Sequence, residues 1–290
     1  TTSSSFFAYL LFSGVPDTDN KVQVYGNNVH FQRLAISGTT DGSAALIGAG
    51  ISTGTTYDRV LIHNNGPSDT LVGEDVAVSN SSIQHTGLGG LGSAVSISGS
   101  ITGSTIYSAT GTAINVNSAY LGTPYCSLSV ANTVAWGAAA NMRVDDLSGG
   151  TCTGLTVDYD YSWIPNPGSA SLGGGIVVAG SSTPVAGAHN LSNTPAVFDP
   201  TDPASTYLSN LVLPVGSPAI DAGCTGSACS DHDYYGRPRP IGTANDIGAM
   251  EQSLAPVANR VRVEAAAETQ AALTATLRAR GAATTYAMQI

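Results

Sequence analysis

His63 and His85 each stand near the end of a short apolar run, and Glu74 and Asp75 fall between them. Imidazoles and carboxylates brought to one surface are the equipment of acid–base chemistry, glycoside cleavage included, so these four residues are the candidates for catalysis. Arg33 and Arg59 each precede an apolar position, Leu34 and Val60. On a strand whose apolar residue points inward they point outward, as a basic pair for an anionic sugar, unless Asp41 and Asp58 neutralise them. Asp158 and Asp160 alternate in "VDYD" and share one side of a strand, with Asp145–Asp146 before them and Asp231 and Asp233 in the terminal segment. Calcium takes several oxygen ligands of this kind; neither an EF-hand loop nor a glycine-rich calcium nonapeptide is present, and no other cofactor is indicated. Trp136, Tyr159, Tyr161 and Trp163 are rings that stack on sugars when they lie on an outer face. For each group the plainer reading is structural: turn residues, a solvated charge pair, rings packed on a loop.

Any of these roles needs a scaffold, and composition narrows it. Of 290 residues, 34 are Gly and only 10% are charged, with 10 Lys and Arg against 20 Asp and Glu. A sparse surface with net charge −10 excludes nucleic acid as a partner and argues against anionic membranes. A hydrophobic share of 42% is ample for a core and too high for a disordered chain. The run "FFAYLLF" (6–12) is too short to span a bilayer and lacks a basic flank, so membrane insertion is not expected. Cys126, Cys152, Cys224 and Cys229 lack zinc spacing. Cys224 and Cys229 enclose only "TGSA", and two disulfides formed in an oxidising compartment is the preferred reading. Two buried thiols are the alternative for Cys126 and Cys152.

The elements are strands. Short Val/Ile/Thr/Tyr runs end in Gly, Asn or Asp, and helical periodicity is almost absent before residue 260. The runs "FQRLAISG", "YDRVLIHNNG", "NSSIQHTG", "GSTIYSATG", "ANTVAWG" and "CTGLTVDYD" align on Leu34, Val60 (or Ile62), Ile83, Ile106, Val134 and Leu155, with spacings of 26, 23, 23, 28 and 21. A period in the twenties built from strands and turns marks a solenoid, in which stacked coils share a core that one coil cannot close. No leucine-rich consensus is present, and the pattern resembles the right-handed parallel β-helix of pectate-lyase-like proteins. In "NKVQVYGNNVHFQRLAISG" (20–38), strands meet at a bend at Gly26–Asn27–Asn28. Cys126 and Cys152 lie about one coil apart, which suits a bond between rungs.

Three ordered motifs follow: "LPVGSPAIDAG" (213–223), "DHDYYGRPRP" (231–240) and "NDIGAMEQ" (245–252). They resemble the C-terminal segment of secreted bacterial β-helix surface proteins of the choice-of-anchor type; Met250 stands where those carry Tyr or Phe. The resemblance implies a secreted or cell-surface, adhesin-like bacterial protein. In these motifs Pro218 fixes φ, Asp221 suits an Asx turn, and Arg237 and Arg239 can pair with Asp246 and Glu251. A segment of Pro, Gly and paired charges is one way to close the open strand edge at a solenoid's end. Residues 255–290 look like the first strands of cadherin-like or immunoglobulin-like repeats, with a short Ala-rich helix as the rival.

The sequence therefore predicts an all-β protein: an N-terminal apolar strand or cap (1–19), a right-handed parallel β-helix (20–210), a C-terminal cap (211–252) and a short immunoglobulin-like extension or partner-engaging tail (253–290). The expected role is structural or adhesive, with self-association into a fibre through the termini and glycans as a further partner. A lyase or glycosidase working on one face of the helix is the alternative.

Overall fold

The computed structural model describes residues 5–8, 11–13, 22–24, 27–39, 46–48, 54–64, 69–87, 93–117, 126–146, 154–166, 173–191, 213–214, 216–226, 229–252, 257–267 and 270–278. The chain divides into two units, Thr1–Glu251 and Gln252–Ile290. No helix occurs among the described residues.

The first unit is a parallel β-solenoid with three faces. The first face carries β1 (Ser5–Ala8), β4 (Val29–Gln32), β7 (Thr55–Asp58), the second halves of β9 (Leu71–Ser79) and β11 (Val95–Thr102), β14 (Ser127–Ala131), β17 (Thr156–Asp160) and β19 (Val185–Ala186). The second carries β2 (Leu11–Ser13), β5 (Ala35–Thr39), β8 (Leu61–Asn64), β10 (Ser82–His85), β12 (Thr105–Ser108) and β15 (Val134–Gly137). The third carries β3 (Val22–Val24), β6 (Leu46–Gly48), the first halves of β9 and β11, β13 (Thr112–Asn117), β16 (Ala140–Asp146) and β18 (Ile176–Gly180). Strands of successive coils pair in parallel throughout, as in Ile62↔Ile83↔Ile106.

Strand periodicity sends alternate residues inward, and stacking turns them into apolar columns. On the second face the column is Ile36–Ile62–Ile83–Ile106–Ala135; on the first it is Phe31–Tyr57–Val78–Ile101–Val130, all of them buried. Phe31 and Tyr57 stack with ring centroids 5.2 Å apart. The expected alignment holds at Ile83 and Ile106, and at Ile62, the alternative to Val60; Ile36 and Ala135 replace Leu34 and Val134, while Leu155 leads into a first-face strand. Leu34 belongs to the corner that follows Arg33, two positions before Ile36, and Val134 is an outward strand residue opposite Thr105, one short of Ala135.

In the six coils whose corner from the first to the second face is described, it is a left-handed residue: Arg33, Arg59, Asn80, Gly103, Asn132 and Tyr161, with φ between 48 and 57°. The two arginines therefore turn corners and do not lie on strands. Non-Gly residues in this region cost about 1–3 kcal/mol each and persist only when surroundings hold them. In four of these six corners the holding group is the next residue. Ser81, Ser104, Thr133 and Ser162 are fully buried, and each hydroxyl donates to the carbonyl two residues earlier. Three of them also accept a backbone N–H from the preceding coil: Val60 N to Ser81 Oγ (3.0 Å), Ser81 N to Ser104 Oγ (3.2 Å) and Thr133 N to Ser162 Oγ (3.2 Å). The ladder thus satisfies buried donors that a sharp bend would otherwise orphan. A second left-handed corner, between third and first faces, stacks Asn28, Gly54, Asp75 and Gly99. At Gly99 a Cβ would come within 2.3 Å of the Val76 carbonyl oxygen, so only glycine fits.

Two expectations change here. Glu74 and Asp75 lie inside β9 at this second corner, on a different part of the coil from the second-face histidines. The motif-rich segment after residue 213 lies along the side of the stack: its polar contacts run from Asn132 to Gly103, Asn80 and Arg59, and its apolar residues pack with Trp163 and Leu191. Cys224 and Cys229 are bonded, and Cys126 is also disulfide-bonded; its expected partner Cys152 lies outside the described residues. The second unit is an antiparallel hairpin of β20 (Val257–Ala267) and β21 (Gln270–Arg278), not a helix. These two are the described strands of that unit, short of an immunoglobulin-like sandwich.

Replacing Ser104 by Ala strands the Ser81 N–H and leaves the Thr102 carbonyl with one bond fewer. The expected loss is about 1–3 kcal/mol in urea unfolding. Ser129→Ala, outward on the first face, changes stability by less than about 0.5 kcal/mol.

Candidate functional site

The three terminal motifs fold into a lateral strap. Asp233 is fully buried, and its Oδ1 accepts the backbone N–H of Tyr235 and of Arg237, both at 2.9 Å. Its Oδ2 takes Arg237 Nε at 2.8 Å and the Glu251 N–H at 3.3 Å. Arg239 and Glu251 form a fully buried pair at 3.3 Å. Arg239 also donates to the carbonyls of Asp246 (3.0 Å) and Gly248 (2.7 Å). Glu251 Oε1 accepts the Asp246 N–H at 2.8 Å, and Asp246 Oδ1 accepts the Asp221 N–H at 2.8 Å. Asp221 closes the set, its Oδ1 accepting Thr243 N at 2.6 Å and Ala244 N at 3.1 Å. Burial pulls the Arg239 guanidinium down from its ordinary value, while Glu251, Asp233 and Asp246 work to keep it charged.

This strap docks on the first corner column. The Asn132 amide donates to the Asp246 carbonyl (2.8 Å) and accepts the Cys224 N–H (3.2 Å), while Gly248 N reaches Asn132 O (2.9 Å). Ala249 N reaches Thr105 Oγ1 (3.1 Å). Further along lies a polar cluster centred on Asp58. Its carboxylate takes Gln32 Nε2 (3.2 Å), Arg59 Nε (2.9 Å), Ser79 Oγ (3.1 Å) and Asn80 Nδ2 (2.9 Å), with His232 Nε2 at 3.2 Å. The other ring nitrogen of His232 faces Asp231. Burial pushes the Asp58 carboxyl up, but the bonds from Asn80 and Gln32 and the charges of Arg59 and His232 outweigh it and hold it below its ordinary value of 3.8. Arg33 and Arg59 reach the strap at Gly236, where a Cβ would meet both guanidinium groups. Beside Asp231, a cleft of about 470 Å³ is lined by Ser230, Arg239 and Asn245.

The strap also decides which face is open. Outward residues of the second face, including Gln84, Tyr107, Val134 and Trp136, are buried; Leu213, Ala219 and Ile247 pack with Tyr107, Trp136 and Trp163. The first face presents two outward rows. One is His30–Thr56–Ala77–Ser100–Ser129–Asp158, and the other is Gln32–Asp58–Ser79–Thr102–Ala131–Asp160. Two shallow clefts cross it, about 320 Å³ beside Thr56, Asp75 and Ser100, and about 230 Å³ beside Ser129, Asp158 and Asp160.

The other candidates are dispersed. His63 stands opposite Gln84, while His85 stands opposite Asn64 and is fully buried against Ser108 Oγ (3.3 Å). Burial lowers the His63 imidazole pKa, and its Nε2 meets Thr86 Oγ1 at 2.9 Å. The histidines and Glu74–Asp75 are not brought together. Trp136 and Trp163 are buried under the strap and Tyr159 packs against the core, so the four rings form no common platform; Tyr161 stacks on His189 at 4.3 Å. Asp158 is exposed, and Asp160 binds His189 Nδ1 at 3.0 Å. Asp231 is exposed beside His232, whereas Asp233 is engaged as described. Among the described residues no three His, Cys, Asp or Glu converge as metal ligands. His232 was not among the sequence candidates; its only signal is its place between two aspartates in "DHD". The chain matches no family model and no curated protein.

Two outcomes follow from the strap's electrostatics. Asp58 has a depressed folded pKa, so its stabilisation is present above its unfolded value and disappears as pH falls through the folded one. Asp58→Asn is therefore less stable than the parent in thermal melts at pH 7, and the gap closes in strong acid. Arg239→Met leaves Glu251 buried without its partner and lowers unfolding stability by about 3–5 kcal/mol.

Proposed function

We propose that this chain is an extracellular or cell-surface β-solenoid with a structural and adhesive role, its open first face serving as the contact surface. The observation that carries the reading is the contrast between faces. On the second face the outward side chains of Tyr107, Val134 and Trp136 are buried against the strap, while the first presents flat rows of hydroxyl, amide and carboxylate groups crossed by two clefts. Such rows suit a polyol, since each hydroxyl both donates and accepts. The rows carry Asp58, Asp158 and Asp160 and no Lys or Arg, which favours a neutral glycan over an acidic one. The Cys224–Cys229 bond supports an oxidising compartment. Self-association belongs to the same reading, since scaffolds work by repetition.

One observation favours an enzyme as the second reading: His232 stands between the carboxylates of Asp58 and Asp231 beside the Asp231 cleft. A single experiment separates the two. The full chain is passed over immobilised neutral and acidic polysaccharides, with release of reducing ends measured in parallel. The adhesive reading expects retention on a neutral glycan without turnover, and at least a tenfold weaker retention for Thr56→Arg/Ser100→Arg at unchanged melting temperature. Undiminished retention by that variant contradicts it, and turnover abolished by His232→Ala establishes the enzyme instead.

A further inference from the structure

The two clefts of the first face follow one another along a single line. The first is lined by Thr56, Asp75, Ser100 and Ser127, and the second by Ser129 and Asp158. The line is the outward row Thr56–Ala77–Ser100–Ser129–Asp158, one residue from each of five consecutive coils in parallel register. Each of the five is half-buried or exposed, and none before Asp158 is larger than threonine. The row is therefore a shallow trough along the solenoid axis, with a step of about 4.7–4.9 Å from strand to strand. On its flank Gly54 and Gly99, which have no Cβ, open the corner around Asp75. Thr56 Oγ1 is held by His30 Nδ1 at 2.7 Å. Among the described residues no Lys or Arg lines either cleft.

We infer that this trough takes an extended, uncharged β-1,4-linked polysaccharide lying along the solenoid axis, with successive sugars over successive coils. The inference rests on the glycan-binding reading of the first face and names the class of glycan. A β-1,4-linked chain is a straight ribbon whose equatorial hydroxyls recur with every sugar, at nearly the spacing of neighbouring strands. An α-1,4-linked chain of the same sugars coils away from a line and meets such a row over a short stretch only. The hydroxyls of Thr56, Ser100 and Ser129 both donate and accept, and the carboxylates of Asp75 and Asp158 accept, so the row answers the hydroxyls of a sugar. The same two carboxylates repel a uronate or a sulfate ester. Small side chains through the middle of the row let the ribbon lie flat. One sugar over one coil gains little, and the contact becomes firm as linked sugars engage further coils at high effective concentration.

Isothermal titration of the full chain with defined oligosaccharides tests it. The probes are β-1,4-linked gluco- and manno-oligosaccharides from disaccharide to hexasaccharide, with the α-1,4-linked glucose hexasaccharide as the control. Affinity for a β-1,4 series is expected to rise with each added sugar until the five coils are spanned. The β-1,4 hexasaccharide is expected to bind at least tenfold more tightly than the α-1,4 one. Ala77→Ile and Ser129→Ile, one in each cleft, are each expected to weaken hexasaccharide binding at least tenfold at unchanged melting temperature. Ser129 is exposed, so its variant keeps the readout should Ala77→Ile misfold. Equal affinity for the α- and β-linked hexasaccharides would overturn this inference while the glycan reading stands. A disaccharide bound as tightly as the hexasaccharide, or binding unchanged in Ser129→Ile, would do the same. No binding of either β-1,4 hexasaccharide also overturns it, and the glycan reading falls with it only if retention on immobilised neutral polysaccharide is absent too.

Discussion

Everything in the first unit depends on how the chain turns from the first face to the second. A left-handed residue bends the backbone sharply, and the N–H groups at the bend lose their place in the strand ladder. The buried hydroxyls of Ser81, Ser104, Thr133 and Ser162 restore those bonds coil by coil. A hydroxyl is the smallest side chain that accepts one bond and donates another, which is why Ser and Thr recur at a position that is otherwise core. With the corner solved locally, the inward columns stay in register although coil lengths vary.

The same corners create the docking site for the terminal motifs. Because each corner residue projects sideways, the stack presents one polar or glycine position per coil along a line. Asn132, Gly103, Asn80 and Arg59 meet complementary groups of the strap. Inside the strap the carboxylates of Asp233, Asp246, Glu251 and Asp221 chiefly accept backbone N–H groups, and two of them also take an arginine. A segment of this length has no strand ladder of its own, so side chains must satisfy its backbone. Acids and arginines that look like reaction chemistry on a bare sequence are here substitutes for secondary structure. By covering the second face they also leave the first face as the exposed polar surface.

Much of the fold was legible in the sequence because two periods coexist there. Alternation gave strands, and the recurrence of apolar runs every twenty to thirty residues gave the stack; Ile83 and Ile106 were placed in their true column. Errors arose where a local pattern hid a three-dimensional constraint. Arg33 and Arg59 read as outward strand residues because nothing in "QRL" or "DRV" announces a left-handed φ. His63 and His85 read as neighbours, but a shift of one position along the strand sends one of them inward. The partnership of Asp58 with His232, separated by 174 residues, has no sequence signature at all. The terminal motifs were read as a structural cap, and their position along the side of the stack required coordinates.

The central claim is that the strap clamps the second face and touches the first only at the Asp58 edge, leaving the row from Thr56 to Asp158 uncovered. Amide hydrogen exchange on the Arg239→Met protein, compared with the parent, tests it most directly. The account predicts faster exchange through residues 219–252 and in β10, β12 and β15, with first-face protection in β7 and β14 retained. Accelerated exchange confined to the strap, or spread equally over both faces, would contradict it.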